Sequence, residues 1–341
     1  MQLLYESQMA SANMDEPKNL STSQPIADAP TPSQCFTLAH LSDPHLSCIT
    51  NIRALQLFNK RLYGYLGWKL HRGAEHQDKV LIAMGADLKQ TRPDHIAVTG
   101  DLTHLSLPAE FLKAENWLKS LGPSTHVTVI PGNHDAYVKT NWDQTVARWS
   151  AYMRSDSAGF DDDHAAHSAS IFPSVRIRDR TALIGVSTAQ PTAPYLAVGS
   201  IGAIQLQKLE TILSWTNEQQ LFRVLLIHHP PAPGTVSWRK RLTDATALRS
   251  LLANCGAELI LHGHAHRAVQ NYLKTPSGDV PVVGAPSASS IGRNLQRRAR
   301  YYIYNISPND DGWDTRLTVR IYSPEADRFI LEREEKFTMS H

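Results

Sequence analysis

The chain has 341 residues, room for one large domain or two ordinary ones, and is 42% hydrophobic and 19% charged, as expected of a soluble globular protein with a sizeable core. Lys plus Arg (34) less Asp plus Glu (32) leaves +2, so total charge gives no reason to expect a nucleic acid or an anionic surface as partner. No apolar run reaches the roughly 18 residues of a membrane-spanning helix. The three cysteines (Cys35, Cys48, Cys255) have no ligand-like spacing, which argues against a disulfide framework and fits a reducing, cytoplasmic compartment.

Residues 1–34 are rich in Ser, Pro, Ala, Asn and Gln and carry no sustained period. They lack the basic start, apolar middle and cleavage site of a secretory signal, and they contain no Arg, unlike a transit peptide. We read them as a disordered tail, with Met14 as an alternative start, ahead of a domain over 35–341. From Cys35 onward, β-type runs alternate with helical patterns. Strands are predicted at 36–42, 95–99, 126–130, 181–187, 222–227 and 257–261. Helices are predicted at 78–90, 108–121, 204–215 and 244–253. Such alternation predicts an α/β fold with a parallel or mixed sheet. Strand-like runs at 269–272, 280–283, 301–306 and 315–322 predict an antiparallel sheet packed on the first within the same domain.

Several predicted strands end in metal-ligand residues: Asp43 and His45 after the first, Gly100-Asp101 after the second, and Gly132-Asn133-His134-Asp135 after the third. Later strands run into His228-His229-Pro230-Pro231 and Gly263-His264-Ala265-His266. Ligands in α/β sheets bind just past the carboxyl ends of strands, so five such ends can converge on one small volume. Carboxylate, amide oxygen and imidazole donors suit borderline or hard first-row divalent ions, and no thiolate takes part. One carboxylate can bridge two cations, and two cations roughly 4 Å apart clamp a phosphoryl group and generate hydroxide near neutral pH. The remaining histidines His71, His76, His95, His126, His164 and His167 read as ordinary surface or core residues, and Asp161-Asp162-Asp163 as a solvated loop.

The ordered set D-x-H, G-D, G-N-H-D, H-H-P-P and G-H-x-H resembles the calcineurin-like metallophosphoesterases, in particular the small bacterial branch of cyclic-nucleotide and glycerophosphodiester phosphodiesterases. The resemblance spans nearly the whole chain beyond the tail. It implies a four-layer sandwich of two mixed β-sheets flanked by helices, and a pair of divalent ions (Mn, Fe or Zn). It places Asp43, His45 and His266 on one ion, Asn133, His228 and His264 on the other, and Asp101 across both. His134 would sit near the phosphate, to stabilise transferred charge or protonate the leaving oxygen. His229 would support the site or face substrate, and only the resemblance chooses His228 over His229 as the ligand. Relatives often carry an acid shortly after the bridging aspartate, orienting the catalytic histidine. Here His104 stands in that run, and Asp135 is the substitute available.

Between Asp43 and Glu75 there is no acidic residue, while Arg53, Lys60, Arg61, Lys69 and Arg72 are basic. Leu55, Phe58, Leu62 and Leu66 recur near helical spacing, with Tyr63, Tyr65 and Trp68 among them. This insert, about 51–74, either packs its apolar face on the core or lies on an anionic membrane and accepts an acyl chain. Its position directly after a metal-binding loop favours a wall of the active site. A second basic stretch, Arg293, Arg297, Arg298 and Arg300, suits phosphate recognition, with Arg293 the candidate substrate contact. The expected activity is in-line attack of a metal-bound hydroxide on a phosphodiester or pyrophosphate bond of a small molecule or a nucleotide-linked lipid. The Asn59-Lys60-Arg61 stretch resembles hydrolases of the UDP-2,3-diacylglucosamine type. The chain would then work in the cytoplasm, in part at the inner membrane face. A catalytically silent scaffold commonly lacks ligands that are all present here, and a DNA nuclease sits poorly with the near-neutral charge.

Overall fold

The structure, a computed structural model, describes residues 35–48, 57, 60–68, 75–142, 144–156, 171–276, 278–310 and 312–340. The tail over 1–34, most of the insert's first half and the acidic run at 161–163 lie outside the described residues.

Twelve strands among the described residues form two six-stranded mixed sheets. The first has the order β12-β11-β10-β1-β2-β3, from β1 (Phe36–Leu41), β2 (His95–Val98), β3 (Val127–Val129), β10 (Arg300–Asn309), β11 (Gly312–Ser323) and β12 (Arg328–Ser340). The second has the order β4-β5-β6-β7-β9-β8, from β4 (Ser174–Arg178), β5 (Thr181–Gly185), β6 (Phe222–Leu226), β7 (Leu259–His262), β8 (Val269–Thr275) and β9 (Gly278–Gly284). β1, β2 and β3 run parallel, as do β5, β6, β7 and β9, and the remaining pairs are antiparallel.

Parallel neighbours need long crossovers, which the helices supply. These are α1 (Arg61–Gly67), α2 (Asp78–Thr91) and α3 (Pro108–Leu121) in the first half, the single turn α4 (Ser150–Met153), then α5 (Ala203–Glu218) and α6 (Ala245–Cys255). α2 packs on β11 and β12, while α5 and α6 pair with each other and reach β6 and β8.

The alternation of β6 makes the layering explicit. Phe222, Val224 and Leu226 join the core shared with β1, β2 and β10, whereas Leu225 and Ile227 join the one that holds Leu209 and Leu213 of α5 and Leu248 and Leu252 of α6. Phe222 meets Trp313 of β11 edge-on, its ring centroid 5.5 Å away, across the sheets. Period-two burial on both faces is what a strand sandwiched between a sheet and helices requires.

The α/β alternation and the predicted element positions match this architecture, but the sheet assignment differs from expectation. The last-quarter strands build no separate antiparallel sheet: β8 and β9 complete the second sheet, and β10, β11 and β12 extend the first, with β10 pairing directly with β1 (Phe36 opposite Ile306).

Candidate active site and metal centre

Five loops leave the carboxyl ends of β1, β2, β3, β6 and β7 and deliver the motif residues to one place. Asp43, His45, Asp101 and His266 present ligand atoms within 4.8 Å of one another, and so do Asp101, His228 and His264. Asp101 belongs to both groups. Asn133 joins the second, its Oδ1 lying 3.2 Å from His228 Nε2. All seven expected ligands therefore gather around a common centre.

The backbone is bent to achieve this. Five of those seven, Asp43, His45, Asp101, His264 and His266, have φ between 45° and 64°. That region costs a non-glycine residue about 1 kcal/mol or more, and such strain concentrates at functional sites. Glycines make the close approaches: a Cβ on Gly132 would strike the Asp101 carboxylate, and one on Gly263 would strike Ser42 and Asp43.

Three of the four imidazoles are oriented from behind by a carbonyl. His45 Nδ1 lies 3.3 Å from Thr103 O, His228 Nδ1 2.7 Å from Thr99 O, and His264 Nε2 2.9 Å from Lys240 O. Donation to those carbonyls fixes the tautomer and turns the other nitrogen's lone pair to the centre, as metal-ligating histidines require. Burial, with His266 and His134 adding to it, holds His45 well below the usual imidazole range. Burial, His229 and His228 do the same for His264.

His228 goes the other way. Burial works against its charge, but the Asp101 carboxylate outweighs it and pushes the imidazole up to about 9. Burial likewise works against the Asp101 charge, and His228 and His134 hold its carboxyl well below the usual range. His228 Nε2 faces two acceptors, Asn133 Oδ1 at 3.2 Å and Asp101 Oδ1 at 3.4 Å. Asp101 Oδ2 is buried without a hydrogen-bond partner. Converging acceptors, a lone buried carboxylate oxygen and neutral imidazoles are a donor set short of positive charge, and divalent cations fit it.

His134 stands beside this centre, its backbone N–H donating to Asp101 Oδ1 at 2.7 Å. Its orienting partner is not Asp135. That carboxylate accepts from the N–H groups of Leu102, Thr103 and Gly132 and from the Thr103 hydroxyl, tying the Asp101 loop to the Asn133 loop. The carbonyl of His104 takes the task instead, 2.6 Å from His134 Nδ1. A backbone acceptor thus replaces the expected acid, at the very residue that displaced it.

His229 is buried with Nδ1 2.7 Å from Thr188 Oγ1 and Nε2 3.2 Å from Ala197 O, so its nitrogens are engaged with the wall. Of its two expected roles the geometry matches support, and His228 is the histidine that faces the centre. Arg293 extends from the rim, 3.8 Å from Glu75, with a side chain 67% exposed. Arg300 drops out of the basic patch: it is buried and spent on Glu332.

Three residues of the site carry no sequence motif. His76 lies 5.0 Å from the His45 ring and 2.9 Å from Ser289 Oγ, so it is a site residue rather than an ordinary one. Tyr137 stacks on His134, and Lys60 sits over Tyr137. In the insert, α1 buries none of its residues, and Leu62, Tyr63 and Leu66 are 43%, 49% and 46% exposed. Tyr65 and Trp68 are half-buried on the opposite face, so the described part turns one side to the protein and leaves the other open. Leu55 and Phe58 lie outside the described residues. No helix among the described residues is long and apolar enough to cross a membrane.

A family model described as calcineurin-like phosphoesterase matches residues 36–268. Among solved structures, a dimetal phosphatase from Danio rerio is similar at 13% identity, covering 89% of this chain and 98% of its own, with a TM-score of 0.56. A purple acid phosphatase from yellow lupin (Lupinus luteus) seeds is similar at 12% identity, covering 90% of this chain and 55% of its own, with a TM-score of 0.50. At such identities the likeness is one of fold. No curated protein matches in sequence.

Proposed function

This chain belongs to the calcineurin-like phosphoesterase family, its clustered Asp and His donors support metal-dependent phosphoester hydrolysis, and we propose that it cleaves a phosphodiester or pyrophosphate bond of a small molecule, as the bacterial phosphodiesterase branch does. The observation that carries this reading is the membership of Asp101 in both donor groups. Asp43, His45, Asp101 and His266 would hold one divalent ion, and Asp101, Asn133, His228 and His264 the other. Such a pair neutralises charge on the phosphoryl oxygens and makes water nucleophilic near neutral pH.

The chain's own residues do the rest. Donation of His134 Nδ1–H to the His104 carbonyl leaves Nε2 as the nitrogen that, with the ring in its imidazolium form, hands a proton to the leaving oxygen and becomes the neutral imidazole. His229 keeps His228 and His264 in place, packing 5.1 and 4.3 Å from their rings. Arg293 offers a guanidinium at the rim for a second anionic group of the substrate.

A second reading rests on the open apolar side of α1. Leu62, Tyr63 and Leu66 suit the acyl chain of a nucleotide-linked lipid, met at the cytoplasmic membrane face. The test is turnover by the purified full chain with added Mn on bis-p-nitrophenyl phosphate, cyclic AMP and UDP-2,3-diacylglucosamine. Metal-dependent hydrolysis of the first two supports the phosphodiesterase. Hydrolysis of the lipid alone supports the second reading, and inactivity on all three defeats both.

A further inference from the structure

His134 stands in a three-ring stack. The His104 ring stacks with it 5.3 Å away and tilted 16°, and the Tyr137 ring 5.2 Å away and tilted 11°. Lys60, at the entry to α1, places its ammonium 4.5 Å from the Tyr137 centroid, beyond the stack. That ammonium also donates to Thr192 Oγ1 at 2.7 Å and Leu196 O at 3.0 Å, which anchors it.

Arg61, the next residue, donates to Leu105 O at 2.8 Å and Ser106 O at 2.7 Å, gripping the segment whose His104 carbonyl orients His134. The Ser106 hydroxyl in turn donates to His134 O at 2.7 Å and accepts from Tyr137 N at 2.9 Å. Gly64 lets α1 come this close: a Cβ there would lie 2.5 Å from Leu105 Cδ2 and 2.8 Å from the Tyr137 hydroxyl. No residue of α1 is fully buried, so these polar contacts contribute to docking it beside the half-buried Tyr65 and Trp68.

We propose that the insert is a positioning element for His134, with Lys60 and Tyr137 as positioning residues that act through the ring stack. The inference rests on the hydrolase reading above. The His104 carbonyl fixes the direction of Nδ1, and the two near-parallel stacked rings fix the plane of the imidazole. The Lys60 cation holds the Tyr137 ring by its quadrupole. Neither residue needs to touch substrate, so their loss would slow turnover without weakening binding.

The experiment uses the full chain with Mn and bis-p-nitrophenyl phosphate, measuring kcat, KM and bound Mn for Lys60→Met, Lys60→Arg, Tyr137→Leu and Tyr137→Phe. We expect Lys60→Met and Tyr137→Leu to lower kcat about 10- to 100-fold with KM within about twofold and Mn content kept. Lys60→Arg and Tyr137→Phe, which keep the cation and the ring face, should stay within about threefold of the native chain. A raised KM at constant kcat, unchanged kcat in both disruptive variants, or loss of Mn along with activity would overturn the proposal while leaving the hydrolase reading standing. A native chain with no metal-dependent turnover would overturn both.

Discussion

His45 and His266, 221 residues apart in sequence, aim their Nε2 atoms at each other across 3.0 Å, and Asp43 Oδ1 lies 3.1 Å from His266 Nε2. The two Nε2 atoms and the Asp43 carboxylate oxygen converge on one small volume, as ligand atoms around a cation do. His266→Ala removes one donor from this group and none from the other, whereas Asp101→Asn weakens both. Bound metal, measured by elemental analysis, should drop toward about one ion per chain in the first variant and below that in the second. Even outer partners of ligands cost about 10–100-fold when removed, so activity should fall by more than that in each. Two ions retained in Asp101→Asn would remove the shared aspartate from the reading.

Chelation should destabilise as well as inactivate. Ligands that bind only the folded state add RT ln(1 + [L]/Kd), about 2.7 kcal/mol at a hundredfold excess over Kd. Here burial, with neighbouring histidines adding to it, keeps His45 and His264 in the neutral form that a cation binds. Removing divalent ions with a chelator should lower the melting temperature by roughly 3–6 °C, and Mn should restore it. A melting curve indifferent to chelator would mean that the cluster is stable without ions.

The motifs were legible because each follows an apolar run, and a ligand set at five strand ends needs only the strands to be recognised. What sequence did not reveal is what depends on distant segments meeting. β12 contains the charged run Glu332 to Lys336 and is not among the strands the sequence predicts, yet it is an edge strand, where such charges are at home. β4 is five residues with two arginines, and Arg176 hides there by donating to the carbonyls of Ala151, Arg154 and Val127. His76, Lys60 and Tyr137 reach the site from loops that carry no recognisable spacing. The division of strands between the sheets follows from β10 pairing with β1, a long-range choice that local pattern does not encode.

Gly100 and Gly85 should respond to alanine in opposite ways. Gly100 has φ +92°, and a Cβ there would lie 2.6 Å from Gly132 N and 2.8 Å from His228 Nδ1, the nitrogen that bonds Thr99 O. Gly100→Ala must therefore strain the backbone and push His228 off its carbonyl, with a loss on the order of 2–4 kcal/mol and weaker metal binding. Gly85 lies inside α2 with nothing within 4 Å of its Cβ direction. Gly85→Ala should stabilise by about 0.5–1 kcal/mol, read from chemical denaturation, with activity retained. Equal effects at the two sites would contradict the close approach seen at the first.

Glu110 should make stability depend on pH. It caps α3 from its first turn, its Oε2 accepting from the N–H groups of His104, Leu105 and Leu107, while Oε1 is buried without a partner. Burial pushes its carboxyl from 4.5 up to about 7, against the backbone donors of Leu107, Leu105, His104 and Cys48. The folded chain then binds this proton more tightly than the unfolded chain does. The stabilisation it gives is complete below about pH 4.5 and is lost as pH rises through 7. Glu110→Gln keeps the amide oxygen for the three N–H groups and has no proton to lose. The two proteins should melt alike near pH 4.5, and the variant should gain on the native chain as pH rises to 8, by on the order of 2–3 kcal/mol. Parallel melting curves over that range would show that the three N–H donors offset burial and keep the carboxylate ionised.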